Sequence, residues 1–140
     1  MREIKFRGKR LDNSEWIYGD LHIRTPHAHI HSELGSRVFI DTDTIGQFTG
    51  LHDKNGKEIY EGDILRGDEY PFNCDGVDNY FAEVVWADNV CGFYSITLKK
   101  PNSTVRGISH GNWEQLNEVD MKSFEVIGNI HDNTELLKSL

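Results

Sequence analysis

Residues 46–65 constrain this chain more than any other stretch. Gly46, Gly50, Gly56 and Gly62 divide it at short intervals. Between and just after them stand Phe48, Thr49, Ile59, Tyr60 and Ile64, aromatic and β-branched residues that suit a pleated, half-buried surface. Asp53-Lys54-Asn55-Gly56 is a turn signal, and Glu61-Gly62-Asp63 is a second one that opens an apolar run. Aromatic and β-branched segments with tight glycine punctuation encode a compact β-rich domain. Gly50, Gly56 and Gly62 read as backbone necessities, two of them at positive φ. The run specifies a fold and carries no chemistry of its own.

Period-two alternation extends this reading along the chain. Ile4 and Phe6 oppose Lys5 and Arg7, and residues 11–14 turn. Ile17, Gly19, Leu21 and Ile23 then share one face, with Trp16 and Tyr18 on the other, so the two segments form a hairpin. Residues 24–37 hold Pro26, Gly35 and three alternating histidines, which predicts a long loop or a pair of exposed edge strands. Val38-Phe39-Ile40 resumes a strand. Asp41-Thr42-Asp43-Thr44 offers caps for a short helical turn over 45–48.

A main sheet starts at 62–66, and residues 67–79 predict a long acidic loop. Tyr80, Ala82, Val84 and Trp86 mark a strand buried largely on both faces, with Gly92, Tyr94, Ile96 and Leu98 on its hairpin partner. Pro101-Asn102-Ser103 turns toward Val105 and Ile108, and Asn112 caps a short helix over 112–116. Phe124, Val126, Gly128 and Ile130 form the last strand. Asp132 caps a terminal helix, with Glu135 closing the capping box and Leu136, Leu137 and Leu140 as its apolar stripe. The expected fold is mainly β with minor α: antiparallel sheets in a single domain over 1–140. A hairpin subdomain covers about 1–60. A barrel-like subdomain covers 61–140, closed by the last strand and followed by the short helix.

A chain of 140 residues buries enough surface to fold without metal or disulfide. Its formal net charge of −8 disfavours adhesion to nucleic acid and membranes. Arg2, Lys5, Arg7, Lys9 and Arg10 nevertheless cluster near the start. No apolar stretch is long enough to span a bilayer, and the charged start does not resemble a secretion segment, so the expected compartment is a reducing cytoplasm. Cys74 and Cys91 are then expected to be free thiols, Cys91 as a small core residue, although the sequence leaves open whether the two lie close together.

His27-Ala28-His29-Ile30-His31 is the one metal-like signal. Residues two apart on a strand share a face about 6.6 Å apart, so His27 and His29 are weak candidates for a shared ion. The third histidine is too distant, and a site needs a remote ligand such as His22, Glu33, His52 or His110. The expectation is no metal and no cofactor. Asp41, Asp43, Glu58, Glu61 and Asp63 are assigned to capping and turns rather than to metal-assisted catalysis. Ser32, Ser36 and Ser95 lie in no nucleophile context, and no phosphate-binding loop occurs, so no catalytic residue is assigned. Trp16, Tyr18, Trp86 and Trp113 are expected to pack in the core rather than to stack on bases.

Five blocks give a family resemblance: 5–7 (Lys-Phe-Arg), 16–21 (Trp-Ile-Tyr-Gly-Asp-Leu), 44–51 (Thr-Ile-Gly-Gln-Phe-Thr-Gly-Leu), 53–64 (Asp-Lys-Asn-Gly-Lys-Glu-Ile-Tyr-Glu-Gly-Asp-Ile) and 124–133 (Phe-Glu-Val-Ile-Gly-Asn-Ile-His-Asp-Asn). Together, and in this order, they resemble the YopX family over nearly the whole chain. The resemblance implies a small phage or prophage protein of unknown function. It also implies a mainly β fold with an N-terminal subdomain and an SH3-like C-terminal barrel, and no known activity or catalytic residues. The His-rich stretch and the 67–79 loop look like insertions relative to the shared blocks.

The favoured function is a non-enzymatic accessory protein that binds an unknown phage or host protein, or a second copy of itself, with exposed edge strands open to β-augmentation. The first alternative is nucleic-acid binding through the basic N-terminal strand and the barrel. The second is a metal-dependent enzyme using the 27–31 stretch.

Overall fold

The computed structural model describes residues 2–67, 80–99 and 113–139. It is mostly antiparallel β-structure with two short helices, as alternation predicts. The chain divides into two compact units, Met1–Gly50 and Leu51–Leu140.

The first unit contains β1 (Phe6–Arg10), β2 (Trp16–Arg24), β3 (His27–Ser32) and most of β4 (Arg37–His52). Neighbouring strands pair in the order β1-β2-β3-β4, and β1 also pairs with β4, so the four strands close into a ring. Each strand is paired on both sides over part of its length. The inner face packs Ala28, Ile30 and Ile40, with Ile17, Leu21 and Ile45 partly buried against them. Gly19 is required where β2 passes from β1 to β3. A Cβ at Gly19 would collide with the carbonyl oxygen of His31, and its φ is 153°.

Two local expectations are corrected here. The 24–37 stretch is neither a long loop nor a pair of edge strands. Pro26 stands in a two-residue turn, and β3 runs between β2 and β4. Its alternation is genuine, but alanine at 28 keeps the inward face easy to overlook in the sequence. Residues 45–48 are strand, not helical turn. The cap-like residues before them serve a bulge: across Arg7 and Lys9 of β1, the register on β4 jumps from Gly46 to Asp41. The Thr44 hydroxyl donates to the Asp41 carbonyl at 2.6 Å and accepts the Lys9 N–H at 2.8 Å. The Asp41 carboxylate accepts the Asp43 N–H. Side chains that hydrogen-bond their own backbone stabilise an irregular strand as readily as a helix end.

The second unit holds the end of β4, then β5 (Glu58–Tyr60), β6 (Asp63–Gly67), β7 (Tyr80–Ala87), β8 (Gly92–Lys99), β9 (Trp113–Gln115), α1 (Glu118–Met121), β10 (Phe124–Asn129) and α2 (Thr134–Ser139). Its main sheet has the order β10-β6-β7-β8-β9. Ile59, Leu65, Ala82, Val84, Met121 and Phe124 are buried together. Gly50, Gly56 and Gly62 all have positive φ, one more than expected. Gly62 also donates to Val84 and accepts from Ile130 through its backbone.

Three further expectations change in this unit. Trp113-Glu114-Gln115 pairs with Tyr94–Ile96 of β8 and is strand rather than helix, while the helical turn comes later, at α1. The terminal helix starts at Thr134, after Asn133 rather than Asp132. The Asn129 side chain accepts from His131 and Asp132 N–H and donates to the Asp132 carboxylate, which ties Asp132 to the preceding turn. Cys91 is exposed in the β7–β8 turn and donates its thiol to the Asp88 carbonyl, so it is not a core residue. Cys74, Asn112, Leu140, the 67–79 loop and the turn at 101–103 toward Val105 and Ile108 lie outside the described residues, apart from Gly67, which ends β6. No helix among the described residues is long and apolar enough to cross a membrane.

Candidate functional site

Alternation on β3 turns Ala28 and Ile30 inward and leaves His27, His29 and His31 on the outer face. Register then decides their neighbours. His29 stands opposite His22 of β2 on one side and Phe39 of β4 on the other. The His22 and His29 rings are stacked, with centroids 4.7 Å apart and planes 16° from parallel. Phe39 meets His29 edge-on at 6.0 Å and His27 at 6.4 Å. His27 faces Arg24, and His31 lies between Asp20 and Arg37. The result is a three-strand patch of imidazole and aryl rings bordered by charges.

Phe39 is 57% exposed and Leu11, whose N–H donates to the Phe39 carbonyl, is 63% exposed. Beside them a shallow depression of about 190 Å³ is lined in part by Leu11, Pro26, His27 and Phe39. His29 is held below the usual histidine range, first by partial burial and then by the like charges of His22, Arg37, His31 and Arg24. An imidazole in this setting stays neutral to lower pH.

His27 and His29 therefore share a face, as their spacing implies, but the nearest imidazole to His29 belongs to His22 on another strand. Among the described residues, no group of three or more His, Cys, Asp or Glu side chains gathers to hold a metal. Of the remote ligands considered, His22 is the one brought to His29, while His110 lies outside the described residues.

The basic N-terminal strand is already engaged within its own unit. Lys5 pairs with Glu3 at 3.2 Å and lies over the Phe48 ring. Arg7 is buried with its guanidinium 4.5 Å from the Trp16 ring, and Lys9 approaches the same ring. Arg10 pairs with Asp12 at 2.8 Å. Trp86, expected in the core, is 41% exposed and packs edge-on against Phe93. Tyr18 is also exposed, and Trp16 is half-buried.

The acidic residues have structural partners. Asp63 is buried and accepts the Tyr60 N–H at 2.7 Å, and the Tyr60 hydroxyl donates to Glu58. Sequence reasoning missed the role of Asp53. One of its oxygens accepts the Asn55 and Lys57 N–H groups, and the other accepts Val126 N–H of β10. Burial alone pushes this carboxyl up, but the three amide donors outweigh it and lower its pKa. The turn signal at 53–56 pointed to the first two bonds. The third spans 73 positions and leaves no local signal.

The family described as YopX protein matches residues 5–138. A search among curated proteins returns no match. Among solved structures, the crystal structure of protein EF1440 from Enterococcus faecalis is similar, with a TM-score of 0.54 and 27% sequence identity, covering 98% of this chain and 99% of that one. A family match over nearly the whole length, joined to a solved structure of similar fold, makes this chain a member of the YopX family.

Proposed function

We propose that this protein is a non-enzymatic accessory protein, phage- or prophage-encoded and acting in the bacterial cytoplasm, that binds another protein through the outer face of β2, β3 and β4. The observation that carries this reading is Phe39, a large apolar ring 57% exposed and flanked by two imidazoles at fixed distances. Exposed apolar surface of this kind, bordered by polar groups, marks an interaction site. Ring closure shortens the free backbone edges of the first unit, so recognition falls to side chains rather than to β-augmentation at that unit. For the second unit, the five-stranded order supports the SH3-like portion that the family resemblance implies, over about 61–140.

Nucleic-acid binding ranks behind this reading because the cations of β1 and its flanks already face carboxylates and aromatic rings. Retention on DNA or RNA that weakens with salt would reverse that order. The main test places a photo-reactive phenylalanine analogue at position 39 and, as a control, at the exposed Val90. A discrete adduct is expected at 39 and not at 90 in cells carrying the phage or prophage. An adduct of twice the chain mass would identify a second copy as the partner. Equal labelling at both positions would refute the assignment.

A further inference from the structure

We propose that His22 and His29 form a cross-strand chelate for a divalent transition ion, with copper(II) preferred. The site is independent of any protein partner, since it needs only these two imidazoles.

Their backbones are directly opposed in the β2–β3 register, and their rings already lie 4.7 Å apart and nearly parallel. Residues facing each other across strands have Cβ atoms about 4.5–5.5 Å apart, closer than the about 6.6 Å between residues two apart on one strand. The in-plane nitrogen lone pairs of the stacked rings run nearly parallel, so chelation requires the rings to rotate out of the stack about their side-chain bonds until one nitrogen of each points at the same ion. The alternative pair, His27 and His29, is served worse. Both of its rings contact Phe39, so chelation between them disturbs two edge contacts, where the His22 and His29 pair disturbs one.

The surroundings set the class of ion. The neighbouring Arg24 and Arg37 oppose a dication, and no further described His, Cys, Asp or Glu group completes the shell. Two protein ligands with water in the remaining positions cannot match a four-ligand structural zinc site. Such a site favours the ion with the highest intrinsic affinity for nitrogen donors, which is copper(II).

The test titrates untagged protein with copper(II) chloride in a weakly coordinating buffer at neutral pH, followed by calorimetry and electron paramagnetic resonance. One copper per chain is expected, with hyperfine structure from two imidazole nitrogens. His22→Ala and His29→Ala should each weaken binding by at least about tenfold, whereas His27→Ala and His31→Ala should leave it within about twofold. Saturating copper should raise the melting temperature of the wild type and not of His22→Ala, because the chelate clamps β2 to β3 only in the folded state. Binding unchanged by His22→Ala, or a loss with His27→Ala as large as with His29→Ala, would overturn the proposal. Coordination by a single imidazole in the wild-type spectrum would do the same without relying on any variant. Zinc bound as tightly as copper would also refute it.

Discussion

The two units hold themselves together differently. The first has the smaller interior, a cluster of Ala28, Ile30 and Ile40 with three half-buried companions, besides buried Val38 and Phe48, and its strands close on themselves. Its large rings at Tyr18 and Phe39 face outward. The second has six apolar residues buried in one cluster and two buried carboxylates, Asp53 and Asp63, that gather backbone N–H groups. Backbone closure thus stands in for a large core in the first unit and frees its outer face for recognition. In the second unit, packing and charge-assisted hydrogen bonds fix loops to strands.

Four substitutions, and one titration, break or sharpen that contrast. The largest expected effect is at the ring. Gly19→Ala drives a Cβ into the His31 carbonyl, and we expect a loss of about 3 kcal/mol or more, read by urea unfolding of the full chain. Asp53→Ala should cost about 3 kcal/mol, because it strips three backbone amides, those of Asn55 and Lys57 in the turn and of half-buried Val126 in β10, of a charged acceptor. A loss below 1 kcal/mol would show that water replaces the carboxylate. Gly62→Val should cost about 2 kcal/mol. Its φ of 87° is hostile to a β-branched residue, while the nearest side-chain atom, at 3.5 Å, leaves room for the Cβ. An unchanged melting temperature would contradict this.

Acid should separate the units. The folded state disfavours His29 protonation, so the stability present above the ordinary histidine value of about 6.5 is lost as pH falls through the lowered one. Asp53 follows the same sign at lower pH: its contribution is present above about 3.9 and is lost as pH falls through its depressed value. Amide exchange measured from pH 7 downward should therefore show β2 and β3 loosening before the 53–57 turn and β10. The order should vanish in His29→Gln. The smallest stability effect is at Phe39→Ser, within about 0.5 kcal/mol because the ring is largely exposed, yet this change should abolish the adduct formed when the photo-reactive analogue stands instead at the neighbouring exposed Leu11.

Much of the fold was legible from residues alone. Alternation marked β1, β2, β7, β8 and β10, and the glycines at 50, 56 and 62 announced their backbone conformation. The errors share a cause. At 24–37, at 41–48 and at 112–116, short polar or mixed segments have weak local preferences, and pairing with a neighbouring strand overrode them. Cys91 followed the same rule in reverse, its apolar neighbours suggesting burial where the chain in fact turns. The candidate face was half legible. The 27–31 spacing placed three histidines on one side, but His22 and Phe39 joined them only through register.

Local chemistry by itself therefore determined that this chain would be a glycine-punctuated β protein of the YopX family, since period-two burial and positive-φ turns are properties of neighbours in sequence. Tertiary structure alone decided that four strands close into a ring, that Asp53 ties its turn to β10, and that His22, His29 and Phe39 meet. Those contacts depend on strand register, where a slip of one residue sends every side chain to the opposite face, and no local pattern encodes which partner a strand will choose.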